Sequence, residues 1–287
     1  MIFLAAMLAG AMWRSDPQSS TTALPVMFDA PYVLHTEIRK SVRRDSQSPV
    51  IASQSWEVRV SPTDDGFITV WRDLTKRQSL TMEIETNDSL RPVRIVNLTE
   101  IRRSIAEALN VDDKDDEGRL AMSFLNALPE PTLVGLLTED ASMIALGQGR
   151  LLAVGQPYRY STQSQPFATG PSVANDSTYE LESVDEDAGR AVVLWTTSID
   201  AKALAAVLPD FMRAAMGAMG LDTSDQSKVA EAVAGAVMAK TSRCRYEIVI
   251  RTGLAETASC VTLLEVEMLG QRSKTETRFE ATQRVQR

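Results

Sequence analysis

The sequence predicts an α+β fold dominated by antiparallel strands, and three observations carry that prediction. Apolar and polar residues alternate with period two through most of residues 31–96 and again after residue 150. Helical spacing, opened by capping residues, interrupts the alternation after residue 96 and after residue 199. The resulting order of strands, helices, strands, helices, strands shows no parallel βαβ winding.

The chain begins with an uncharged apolar run, Ile2 to Trp13, that contains Ala9-Gly10-Ala11 and leads into RSDPQSSTTA, a stretch too polar to fold. This pattern fits a secretory signal peptide over residues 1–13 and a flexible N-terminal tail over 14–30, and the run is too short to span a bilayer. It departs from the usual signal in having no Lys or Arg before the apolar core, and a buried N-terminal helix is the competing reading. Export to a periplasm or the extracellular side is the expected localisation. No cysteine follows the run to take a lipid.

Residues 31–287 are expected to form a single α+β domain in two loosely similar halves, 31–149 and 150–287. In the first half, YVLHTEIRKSV places Leu34, Ile38 and Val42 on one strand face, SWEVRV alternates Trp56, Val58 and Val60, and GFITVW follows the turn SPTDDG. Helical spacing starts at NLTEIRRSIAEAL, where Asn97 and Glu100 form a capping pair and Ile101, Ile105, Ala108 and Leu109 a stripe. Two further helical pieces, around Leu120 to Leu128 and Leu133 to Leu146, are separated by the prolines of PEP and by TED.

In the second half, strands are expected at Leu151 to Ser161, Thr178 to Val184 and Arg190 to Ser198, with TQSQPFATGPSVAND as a long loop between the first two. Asp200 then opens a helix with Leu204, Val207, Leu208, Phe211, Ala215 and Met219 on one face and Pro209 as its kink. TSDQSKVAEAVAGAVMAK is expected as another helix, with Val229, Val233, Ala236 and Val237 on its apolar side. Strands Ser242 to Arg251, Thr257 to Leu269 and Lys274 to Thr282 close the chain.

Cys244 and Cys260 are the two cysteines of the chain. Cys244, Tyr246, Ile248 and Ile250 share one strand face, and a three-residue loop Arg251-Thr252-Gly253 with a left-handed glycine sets Cys244 opposite Cys260. That register serves either a disulfide in an oxidising compartment or two buried thiols on a core face.

Chemistry is constrained mainly by exclusion. A net charge of −8, from 38 acidic and 30 basic residues, argues against nucleic acid or an anionic membrane as partner. No G-x-S-x-G elbow, P-loop or H-E-x-x-H occurs, and the sole histidine, His35, falls on the polar face of its strand with Glu37 and Arg39. The run VDDKDDEGRL matches a calcium loop at Asp113, Asp115, Glu117 and Gly118, but Phe124 stands where the closing glutamate belongs. Asp115, Asp116 and Glu117 fit better as acids at a helix start. No catalytic residue, cofactor or metal site is therefore expected, and the chain reads as non-enzymatic.

The helices are rich in Ala, Gly and Met, as in FMRAAMGAMG and AGAVMAK. Such a surface serves either as plain core or as an adaptable cover over an apolar cavity. Taken with the strand order and the exported start, it resembles the half-barrel architecture of the lipoprotein-localisation factors of the bacterial cell envelope. That resemblance rests on element order alone. It implies a large curved antiparallel sheet with the Ala/Met-rich helices on its concave face, and a lipid or other hydrophobic ligand held between them. Leu204, Leu208, Phe211, Met212, Met216, Met219, Val233 and Val237 are the candidate cavity lining. A structural or protein-interaction component of the envelope is the other expectation, with strand edges or the 162–177 loop holding a protein partner.

Overall fold

A computed structural model describes residues 21–28, 31–75, 80–108, 122–123, 125–126, 128–164, 172–218, 228, 233, 236–268 and 270–286. Strand β1 (Thr21–Leu24) is followed by a meander of β2 (Tyr32–Arg44), β3 (Val50–Thr63), β4 (Gly66–Asp73), β5 (Thr81–Thr86) and β6 (Pro92–Ile95). The later strands are β7 (Arg150–Ala153), β8 (Tyr158–Ser164), β9 (Val173–Asp185), β10 (Arg190–Ile199), β11 (Val237–Val249), β12 (Leu254–Met268) and β13 (Gln271–Val285). Eleven of them form one antiparallel sheet in the order β6-β5-β4-β3-β2-β13-β12-β11-β10-β9-β8. Both halves of the chain thus enter the same sheet, joined where β13 pairs with β2, Val285 opposite Leu34 and Thr275 opposite Arg44.

The sheet curves strongly without closing. Arg91, at the entry to edge strand β6, donates from Nη2 to the Tyr179 hydroxyl on β9 at 3.3 Å. Those strands lie nine positions apart in the sheet order, which would be about 43 Å in a flat sheet at the usual strand spacing. Curvature brings them within reach of one side chain. Arg150 of β7 reaches the same hydroxyl at 2.5 Å and lies 4.0 Å over the Tyr179 ring. Edge strands β6 and β8 do not pair with each other.

Period-two alternation decides which face is concave. Leu34, Thr36 and Ile38 of β2, Val58 and Val60 of β3, Met82 and Ile84 of β5, and Tyr246 and Ile248 of β11 are all buried, and their neighbours point outward. His35 falls on the convex face as expected, 3.4 Å from both Glu37 and Ser55.

Helices pack on the concave side. They are α1 (Leu98–Ala108), α2 (Glu130–Leu137), α3 (Glu139–Ala145) and α4 (Ala201–Ala218). The TED break separates α2 from α3 at Thr138, whose hydroxyl donates to the Val134 carbonyl at 2.6 Å. Asp200 caps α4 as expected, its carboxylate accepting from the Ala203 amide at 2.8 Å. Asn97 does not cap α1 with its side chain. Its carbonyl accepts from the Glu83 amide and its amide donates to the Thr81 carbonyl, so it pins the helix start to β5 instead. No described helix is long and apolar enough to cross a membrane.

Three further expectations are corrected. The tail over 14–30 contributes β1, which pairs with β7 and buries Leu24 completely; backbone pairing supplies what its polar composition lacks. Both ends of the loop expected after Ser161 are strand, since β8 runs to Ser164 and β9 starts at Val173, with Ser161 donating to Asp176 at 2.5 Å. Val237 to Lys240 belong to β11 and not to a helix, because pairing with Leu264 to Glu267 of β12 satisfies their backbone. The signal-peptide run and the acidic stretch 113–121 with Phe124 lie outside the described residues.

Gly253 has φ +66°, in the left-handed region, and a Cβ there would lie 1.9 Å from the Pro25 carbonyl oxygen. Gly253→Ala is expected to lower stability by about 2 kcal/mol, from the left-handed penalty and the displaced 25–27 segment. A urea midpoint equal to that of the wild type would contradict this.

Candidate ligand cavity

Between the concave wall and helices α3 and α4 lies a cavity of about 520 Å³, within the roughly 300–1,000 Å³ of small-ligand sites. The antiparallel register builds its wall in rows. Asn175, Ile199, Lys240, Leu264 and Thr275 lie side by side across β9 to β13. The next row holds a hydroxyl on every strand: Ser177, Thr197, Ser242, Thr262 and Thr277. A third row runs Tyr179, Trp195, Cys244, Cys260, Phe279 and, on β2, Lys40.

The middle row is a polar belt inside the molecule. Ser177 donates to Thr197 at 2.9 Å, Ser242 and Thr262 share a hydrogen bond of 2.8 Å, and both serines are buried. The belt divides the apolar interior. On one side is the main core, which includes Trp195, Tyr246 and Phe279. On the other is a smaller cluster beneath α4, formed by Leu204, Leu208, Val233, Ala236 and Met238 with Ile199, Met212, Leu264 and Val266 packed on it. The cavity opens along this division, with Met143, Trp195, Ile199, Leu204, Leu264 and Phe279 as its apolar surface.

Charge enters from two lysines. Lys40 is engaged: its ammonium contacts Asp140 and lies 3.2 Å from Glu139, both on α3. Burial alone would lower the Lys40 pKa, but the hydrogen bond and charge of Asp140, reinforced by Glu139, outweigh it and hold Lys40 above its usual value. Burial pushes the Asp140 carboxyl up, and Lys40 opposes this only in part. Lys240, half-buried in the cavity wall, has no side-chain partner among the described residues.

The Lys40 pair fastens α3 to the sheet. Lys40→Met is expected to cost about 1–3 kcal/mol, between the values for exposed and buried pairs. An amine whose pKa is higher when folded holds its proton more tightly in that state. Its stabilisation is therefore complete below the ordinary 10.5 and lost as pH rises past the raised value. The stability gap between wild type and Lys40→Met should persist at about pH 8 and shrink toward about pH 11; a gap that widens with pH would refute the pairing.

Of the candidate lining residues, Leu204 faces the cavity. Leu208, Met212 and Val233 instead belong to the packed cluster beneath α4. Val237 is 53% exposed, a correction that follows from its outward position on β11. The side chains of Phe211 and Met216, and Met219 altogether, lie outside the described residues. Sequence reasoning missed the hydroxyl belt and both lysines. The available signal was KTSRCRYEIV, whose alternation sets Lys240 and Ser242 on the face of Cys244 and Tyr246.

Cys244 and Cys260 form a disulfide, Cα atoms 4.0 Å apart, in the row beneath the belt. The expected opposition of the two residues holds, although the loop is one residue longer: Val249 faces Leu254, and a bulge beside Ile248 restores the register. Among the described residues, no three His, Cys, Asp or Glu side chains gather to hold a metal.

No protein-family model matches the chain. No curated protein matches it. Among solved structures it is similar to OmpTdeltaL8, a loop L8 deletion mutant of OmpT, an outer membrane protein of Vibrio cholerae. That likeness has 8% identity and a TM-score of 0.20, over 89% of this chain and 100% of the other. Nothing about this chain follows from a likeness at that level.

Proposed function

We propose that this chain is a non-enzymatic exported protein of the cell envelope that binds a lipid or other amphiphile between its sheet and helices. The observation that carries the reading is the cavity of about 520 Å³, walled by aromatic and aliphatic side chains and crossed by a polar belt. Apolar surface left unfilled inside a protein is costly unless a ligand covers it. The disulfide supports an oxidising compartment and hence export. An unclosed curved sheet with helices on its concave side also fits the half-barrel arrangement of the lipoprotein-localisation factors, which we include in the proposal.

Mass spectrometry of organic extracts from protein purified out of its native compartment tests the reading. A stoichiometric amphiphile is expected; an empty protein that also fails to bind added fatty acid or phospholipid would sink it. One surface favours protein interaction instead. Val42, Val50 and Ile51 are exposed together at the β2–β3 turn, Val50 by 74%. Cross-linking from this turn in the intact envelope would trap a protein if that reading holds.

A further inference from the structure

Lys240 gives the proposed ligand a chemistry. Its neighbours along the row are Ile199 and Leu264, and Ser242 and Thr262 follow it toward the cavity floor. Met238 and Ser242, two positions away on either side, are buried on the same face, so the lysine stem starts on the concave wall. Lys240 lines the cavity, and its ammonium has no partner among the described residues. An anionic group entering beside Ile199, Leu204 and Leu264 would therefore meet an ammonium that no described side chain holds.

The other charges of the cavity do not answer it. Glu139 and Asp140 also line the space, but both hold Lys40 on β2. Lys40 and Lys240 sit on strands three positions apart, about 14 Å along the sheet. The cavity-facing residues of β9 to β13 are Asn175, hydroxyls, Lys240 and apolar groups, with no carboxylate among them. One end of the cavity therefore carries an ammonium that no described side chain pairs, beside hydroxyl donors, and the other carries Lys40 with two carboxylates, one more negative charge than the lysine balances.

We propose that the cavity selects single-chain amphiphiles with an anionic head group, a carboxylate or a phosphate monoester, paired to the Lys240 ammonium. Ser242 and Thr262 supply hydroxyls to the same head group, and the chain lies against Trp195, Phe279 and Met143. This rests on the amphiphile-binding reading above and narrows it from any lipid to an anionic one. Charge-assisted hydrogen bonds inside a low-dielectric wall give the head group more weight than it would have on a wet surface.

Calorimetric titration of the full chain with laurate, dodecyl phosphate and 1-dodecanol, each kept monomeric, provides the test. At least one anion is expected to bind about tenfold or more tightly than the alcohol, and the tighter anion identifies the head group. Lys240→Met should bring the anion down to the level of the alcohol, while Lys240→Arg should keep the preference. Unchanged circular dichroism and melting temperature establish that both variants fold. Equal affinity for alcohol and anions in the wild type, or a preference that survives Lys240→Met, overturns this inference and leaves the cavity reading standing. Failure of all three amphiphiles to bind overturns both.

Discussion

Tyr246→Ala is expected to destabilise the protein by about 3–5 kcal/mol, as large aromatic truncations in a packed core do. The ring is fully buried on β11, between Val193 and Ala258 of the flanking strands. Its opposite side meets the chain just beyond α3, where a Cβ on Gly147 would fall 2.3 Å from the ring. The close approach is possible because that residue is glycine. The Tyr246 hydroxyl donates to the Met143 carbonyl at 2.9 Å, tying α3 to the sheet. Burial holds its pKa well above the usual value, so the phenol remains a neutral donor at physiological pH.

Truncation removes both the filling and the tie, and Tyr246→Phe separates them. It should cost about 1 kcal/mol, the net worth of one hydrogen bond. Urea unfolding of the two variants measures both terms. An alanine variant within 1 kcal/mol of the wild type would mean that the wall and α3 are not joined through this ring.

Removing the disulfide by the double substitution Cys244→Ala with Cys260→Ala is expected to cost about 3 kcal/mol. The bond closes a segment of sequence separation 16, and cross-linking a loop of that size restrains the unfolded chain by roughly that amount. Both cysteines are nearly inaccessible, so a native sample should show no reactive thiol. Unfolded without reductant it should still show none, and with reductant it should show two. Free thiols on unfolding alone would contradict the bond. The pair lies between Trp195 and Phe279 in the row beneath the hydroxyl belt. The double variant should therefore weaken amphiphile binding as well as stability.

Much of the architecture was legible locally. Alternation in YVLHTEIRKSV, SWEVRV and CRYEIVI identified the buried faces of β2, β3 and β11. A glycine suited to positive φ at residue 253 marked the hairpin, while the opposition of Cys244 and Cys260 also depends on the bulge beside Ile248. The cavity was not legible in the same way. Helical spacing at Leu204, Leu208 and Val233 marked apolar surface correctly, but most of that surface packs on itself beneath α4. The residues that give the space its polarity are Ser and Thr in strands, where they also read as ordinary β-formers.

What the sequence determined by itself is the period of each segment, the inward face of each strand and the glycine of the β11–β12 turn. These depend on residues a few positions apart, where backbone geometry translates spacing directly into direction. Tertiary structure decided the rest. It set β2 beside β13, curved the sheet until Arg91 met Tyr179, and aligned hydroxyls from five strands into one belt. It also gave Lys40 to α3 while leaving Lys240 in the cavity wall without a partner among the described residues. An apolar pattern states that a face must be buried but not against what. Only the register between distant strands selects which polar groups share the enclosed space.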